Sequence, residues 1–159
     1  MNLIERVDAS AYAEWIRNSD ILYPLLQVVH IIGISIVVGS LIAGNVRLLG
    51  AARDLPLRDF ARHLYRWVLV GLVLFLVTGV HMALGFLPIF AVNPVMGIKM
   101  ALLVVAVLVN VHLYRWQFAA AVAPTQAGAR QKALAALSVL LLLTIIVMGK
   151  LLAYIGGKD

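Results

Sequence analysis

Residues 21 to 46 read ILYPLLQVVHIIGISIVVGSLIAGNV, an apolar run with no Asp, Glu, Lys or Arg. As a helix rising 1.5 Å per residue it extends about 39 Å, more than the roughly 30 Å hydrocarbon core of a bilayer. A lone segment can cross that core only as a helix, because a strand would leave its backbone N–H and C=O groups unpaired in lipid. Three further runs of spanning length follow, at about 64–86, 94–114 and 133–155. Loops of fewer than 20 residues join neighbouring runs, which predicts an all-α integral membrane four-helix bundle of up-down-up-down topology, one domain over residues 1–159. Pro94 suits the first turn of the third span, and Gly156-Gly157 is a natural stop for the fourth.

The composition agrees. Of 159 residues, 64% are hydrophobic and 13% charged, and mean hydropathy is +1.02, more apolar surface than a soluble domain of this size can hide. The absence of cysteine excludes disulfides, thiolate metal sites, iron–sulfur clusters and covalent haem attachment. A pI near 10.1 does not point to nucleic acid, because the basic residues flank the spans, where they orient the chain and meet lipid headgroups. The opening MNLIERVDASAYAEWIRNSD lacks the basic start and apolar run of a cleavable signal, so the first span is expected to stay as an anchor.

Arg47, Arg53, Arg58, Arg62 and Arg66 lie in or beside the loop after the first span, and Arg115, Arg130 and Lys132 flank the loop after the third. The loop between the second and third spans carries no charge before Lys99. By the positive-inside rule the arginine-rich end faces the cytoplasm, and both termini lie outside. Tyr12, Trp15 and Ile16, spaced i, i+3, i+4 among polar residues, predict a short N-terminal helix in the outer interface.

No acidic residue lies between Asp20 and Asp54, nor between Asp59 and Asp159, so all four spans lack a carboxylate. That removes carboxylate-bridged di-metal centres, and it argues against proton-coupled transport. Neither a nucleophile–base pair nor a phosphate loop is visible, so catalysis cannot be assigned to named residues. What remains inside is basic or amide: His30, Asn45, His63, His81, Lys99, Asn110, His112 and Lys150.

Counting from the arginines at 1.5 Å per residue places His30 roughly 25 Å above Arg47, His81 roughly 22 Å above Arg66, and Lys99 roughly 24 Å above Arg115. Lys150, roughly 27 Å above Lys132, joins this outer layer. Imidazoles at one level on neighbouring helices are candidate axial ligands of a b-type haem, His30 and His81 binding its iron. Gly33 and Gly79 would then leave room for the macrocycle, while Lys99 and Lys150 neutralise propionates. Without an acid in the bundle, Lys99 otherwise snorkels or meets a lipid phosphate.

His63 and His112, at the arginine-rich edge, are candidates for a second haem. His63 and His81 are five helical turns apart and share a face with Trp67, Val70, Leu74 and Thr78, whereas His112 lies about 140° around its helix from Lys99. Contact with headgroups is the plainer reading of both. A copper or zinc site on His30 and His81, with Met82 as a third donor, remains short of ligands. Gly33, Ser40 and Gly44, with Gly39 and Ala43 one column over, form a small-residue stripe suited to helix packing or to a flat cofactor.

Trp15 to Arg115, about two thirds of the chain, resembles a bacterial family of small four-helix membrane proteins known as a domain of unknown function. The likeness rests on WIRNSD, on YPLLQVVHIIGISIVVGSLIAGNVRLLG, on VTGVHM and on NPVMGIKMALLVVAVLVN. His30, Gly33, Gly39, Arg47, Leu49, Gly50, Thr78, Gly79, Lys99 and Asn110 fall on its recurring positions. The chain departs from the pattern in GNVRLLG, which lacks the aspartate usual before the arginine, and in His81 and His112, which are not family positions. More distantly, a His early in the first span and a Lys early in a later one are similar to the membrane protoporphyrinogen oxidase and copper-resistance D families. The former binds haem, so the resemblance implies a haem reading more than the residues alone do.

Two functions are therefore expected in order. The first is a haem b protein passing electrons between quinone and an outer-face partner, a membrane oxidoreductase or electron-transfer subunit. The second is a non-redox accessory or lipid-binding subunit of a larger complex or homo-oligomer, its lysines on lipid headgroups.

Overall fold

The computed structural model of the chain describes residues 2–119 and 126–155, with side chains as far as residue 149. Its helices are α1 (Leu3–Asp8), α2 (Ala11–Asn18), α3 (Leu22–Leu49), α4 (Leu57–Gly85), α5 (Leu87–Val92), α6 (Pro94–Ala119) and α7 (Ala129–Ile155), and no strand occurs among the described residues. α3, α4, α6 and α7 are the helices long and apolar enough to span a bilayer. They run longer than the hydropathy suggests: α4 starts at Leu57, two turns before the apolar stretch, carrying Arg58, Asp59 and Arg62 beyond it. Hydropathy marks the part of a helix immersed in lipid, whereas backbone hydrogen bonding continues into the headgroup layer.

Local chemistry sets the boundaries. α3 stops at Gly50, whose φ of 116° is left-handed; the Gly50 and Ala51 amides turn back to the Arg47 and Val46 carbonyls at 3.1 and 3.2 Å. The turn that follows is tied by Arg47, only 4% exposed. Its Nε and Nη2 donate to the Leu55 carbonyl at 2.9 and 2.6 Å, and Nη2 also to the Arg53 carbonyl at 3.2 Å. Arg47 is therefore a structural strut of the α3–α4 loop, and not the headgroup partner its place in the sequence suggests. Asn93 opens α6, its Oδ1 accepting the Val95 amide at 2.9 Å.

The N-terminal segment is two short helices rather than one. Ser10 caps α2, accepting the Ala13 amide at 3.2 Å. Ala13 and Ile16 are fully buried, while Tyr12 and Trp15 are 40% and 58% exposed. Ile16 sits on Gly85 so closely that a Cβ there would lie 2.7 Å from its Cγ2. Arg17 completes the clamp by donating to the Asp8 carboxylate and carbonyl and to the Gly85 carbonyl, at 2.7 to 2.8 Å.

Around the bundle the order is α4, α3, α7, α6, with α3 on α4 the most extensive seam and α4 on α6 the slightest of the four between successive spans of that ring. The α3–α4 seam is a backbone contact. A Cβ on Gly33 would stand 2.7 Å from the Phe75 amide nitrogen, and one on Gly71 would stand 2.8 Å from the Gly33 carbonyl oxygen. On its other side α3 is tied to α6 and α7 by hydrogen bonds. Asn45 Nδ2 donates to Asn110 Oδ1 at 3.2 Å and to Ser138 Oγ at 2.8 Å, and Asn110 Nδ2 donates to Ser138 Oγ at 2.8 Å. Beside this polar knot lies the core of Leu48, Leu57, Leu113, Ala127 and Ala135.

Two glycines should respond oppositely to substitution. Gly71→Val drives a branched side chain into the Gly33 carbonyl and is expected to cost about 3 kcal/mol. Gly39, with nothing within 4 Å of an added Cβ, should accept alanine with a gain of up to about 1 kcal/mol. Thermal unfolding in detergent micelles measures both.

Candidate functional site

The outer layer predicted from depth exists as two separate arrangements. On α3, His30 packs beside the Phe75 ring of α4, with centroids 4.8 Å apart. Its Nδ1 lies 2.9 Å from Thr78 Oγ1, and Thr78 Oγ1 lies 2.6 Å from the Leu74 carbonyl oxygen. A carbonyl can only accept, so the threonine hydroxyl donates to Leu74 and accepts from His30 Nδ1–H. This relay holds His30 as the Nδ1–H tautomer with a bare lone pair on Nε2. Gly79 makes room for the ring itself: a Cβ there would stand 3.0 Å from His30 Cε1.

His81 is held elsewhere. Its Nδ1 lies 2.7 Å from the Val77 carbonyl oxygen one turn back on α4, which again fixes the Nδ1–H tautomer. Its ring meets Tyr12 of α2 edge-on at 6.1 Å. The two imidazoles share no neighbour among these contacts. Between α3 and α4, Gly33 is occupied by the backbone of α4 and Gly79 by the His30 ring. As arranged, His30 and His81 do not fit as the axial pair of one haem, since no slot for a porphyrin separates the helices that bear them.

Lys99, half-buried on α6, points toward α7, where its Nζ would lie 3.6 Å from a Cβ on Gly149. His30 is its electrostatic neighbour across the bundle. Among the described residues the ion pairs are Arg17–Asp8 and Arg62–Asp59, and neither reaches Lys99. Lys150 follows Gly149 on α7, but its side chain lies outside the described residues.

The residues of the second candidate site are not brought together. His63 and His112 are both exposed, and the face of α4 that carries His63 continues through exposed Trp67, Val70 and Val77. That face meets lipid, while Thr78, 5% exposed, turns into the α3–α4 seam. The hydrogen bonds and ring contacts between α4 and α6 among the described residues gather at this end. Arg58 Nε donates to the Gln117 carbonyl at 3.2 Å, Arg58 and Arg62 lie over Phe118, and Tyr65 stacks on Tyr114. No group of three or more His, Cys, Asp or Glu side chains placed to hold a metal occurs among the described residues.

Sequence reasoning singled out the histidine and missed what fixes it. Thr78 is 48 positions away from His30, and the signal available was a threonine next to a glycine in the middle of a span. No protein-family model, curated protein or solved structure matches this chain.

Thr78→Val keeps the shape but strips the relay, leaving the imidazole only the Phe75 backbone as a hydrogen-bond partner in an apolar seam. It is expected to lower stability by about 1 kcal/mol. The ¹⁵N shifts of the His30 ring should also lose the signature of a fixed Nδ1–H tautomer, which Thr78→Ser should retain.

Proposed function

We propose that the chain is a non-redox, lipid-binding membrane subunit whose Lys99 holds the phosphate of an anionic lipid in the outer leaflet. The observation that carries this reading is the ammonium of Lys99, set between α6 and α7 beside Gly149, with basic His30 as its electrostatic neighbour and no ion-pair partner among the described residues. A cation at that depth requires a counter-charge. The spans contain no acid to supply one, and a lipid phosphate is the anion that the surrounding medium provides. Gly149 adds no side chain where that group would lie. The arginine-rich end is then cytoplasmic, both termini are outside, and the membrane is the bacterial inner one. The resemblance of Trp15 to Arg115 to the four-helix family fits a small subunit of this kind. Apolar side chains exposed along all four spans, such as Ile31, Val73, Leu108 and Leu140, suit lipid or the helices of a larger complex.

One observation favours the second reading, a haem b protein in electron transfer with quinone. Both His30 and His81 present a bare Nε2 with Nδ1–H fixed by an acceptor, the tautomer that metal-bound imidazole adopts. In that case Lys99 would neutralise a propionate, and the seam at Gly33 and Gly71 would have to part.

Mass spectrometry of lipids retained by detergent-purified protein, run beside visible spectra, separates the readings. We expect tightly held anionic phospholipid on the wild type, fewer molecules of it on Lys99→Ala, and no Soret band. Equal retention in both proteins overturns the lipid site. A reduced α-band abolished by His30→Ala transfers the assignment to haem.

A further inference from the structure

At the opposite end of the bundle from Lys99, basic side chains gather. Where the end of α3 meets the start of α7, a small cleft is lined by Arg47, Gly50, Arg53, Gln126 and Lys132. Three cations thus converge on one cleft, and among the described residues no carboxylate pairs with any of them. Arg47 and Arg53 are positioned by backbone carbonyls alone: Arg47 by those of Leu55 and Arg53, and Arg53 Nε by that of Gly50 at 3.1 Å. These contacts orient the guanidinium groups without neutralising them. Arg47 is buried at the back of the cleft, Lys132 is half-buried, and Arg53 and Gln126 are exposed at its mouth.

The start of α7 adds to the same field. Gly128 precedes the helix, with the Gln131 side-chain oxygen folded back against it, so the amides of the first turn lie near the cleft. Clustered positive charge that the protein does not balance, between helix ends in the headgroup layer, is the arrangement that recognises a phosphate group.

We propose that the mouth of this cleft, whose interior of about 10 Å³ is too small to admit an ion, binds the phosphate of an anionic phospholipid headgroup. Arg53 and Lys132 contact its oxygens, Gln126 donates at the mouth, and buried Arg47 supplies fixed charge behind them. The site is independent of Lys99 and stands whether or not that lysine holds a lipid.

The test uses the full-length chain in nanodiscs of phosphatidylcholine doped with phosphatidylglycerol, counting retained phosphatidylglycerol by native mass spectrometry. Loss of the two mouth cations in R53Q/K132Q should weaken retention about 30-fold, at about fivefold per charge. The charge-conserving R53K/K132R should keep it, as should Lys99→Ala at this site. Unchanged melting of R53Q/K132Q in pure phosphatidylcholine shows that the fold is intact. A parallel arm adds inorganic phosphate to protein in pure phosphatidylcholine. Stabilisation there that R53Q/K132Q abolishes assigns the cleft to a free phosphate, whereas stabilisation by phosphatidylglycerol alone assigns it to lipid. Retention by R53Q/K132Q equal to wild type overturns the site.

Discussion

Lipid tails are as apolar as leucine, so a spanning helix gains little by hiding leucines from them. The position of α3 depends instead on two contacts that lipid cannot replace. On one side it meets α4 backbone to backbone at Gly33 and Gly71. On the other, Asn45 reaches Asn110 and Ser138 in α6 and α7. Asn45 is 3% exposed and Ser138 fully buried, so each amide or hydroxyl left unpaired there would carry its full desolvation cost. Dispersion along the glycine seam and hydrogen bonding in the knot make α3 the strut about which the other spans are arranged.

From that arrangement follows the separation of polar chemistry into two ends. The knot and the leucine core beside it fill the bundle near the arginines, where α4 and α6 also close through Tyr65 and Tyr114. Toward the other end the close approach of α3 to α4 stacks His30 on Phe75 and Thr78, and it leaves Lys99 between α6 and α7. The short N-terminal helices then cover the tip of α4 through Ile16 and Arg17. Among the described residues each end holds cations that no carboxylate pairs with, and the middle holds none.

The spans were legible in the sequence because bilayer thickness imposes a length and a composition that few other structures share. The glycines of the first span and the amides Asn45 and Asn110 were visible as candidates for packing. What composition cannot convey is azimuth. His63 and His81 share a nominal face with Thr78, yet Thr78 turns inward to His30 while His63 is exposed and His81 meets Tyr12. A helical wheel leaves the direction of the neighbouring helix undefined, and here Gly71 defines it. Arg47 shows the same limit: the positive-inside rule counts charges, whereas the role of this one is fixed by the carbonyls that the tight turn after Gly50 presents to it.

The charge beside His30 also discriminates among ligands. A bare divalent cation at its Nε2 would sit near the ammonium of Lys99 in a medium of low dielectric, where like charges repel far more strongly than in water. It would also lack acidic ligands, because the spans have none. A haem carries anionic propionates and escapes that repulsion, but it needs a slot several ångströms wide beside helices that already touch at Gly33 and Gly71. A lipid phosphate satisfies both constraints, for it brings negative charge and approaches from the outside of the bundle, where Lys99 lies against a glycine. The same reasoning explains why the fixed tautomer of His30 is compatible with a cation nearby. A neutral imidazole, locked by Thr78, adds no second positive charge to a layer that already holds one.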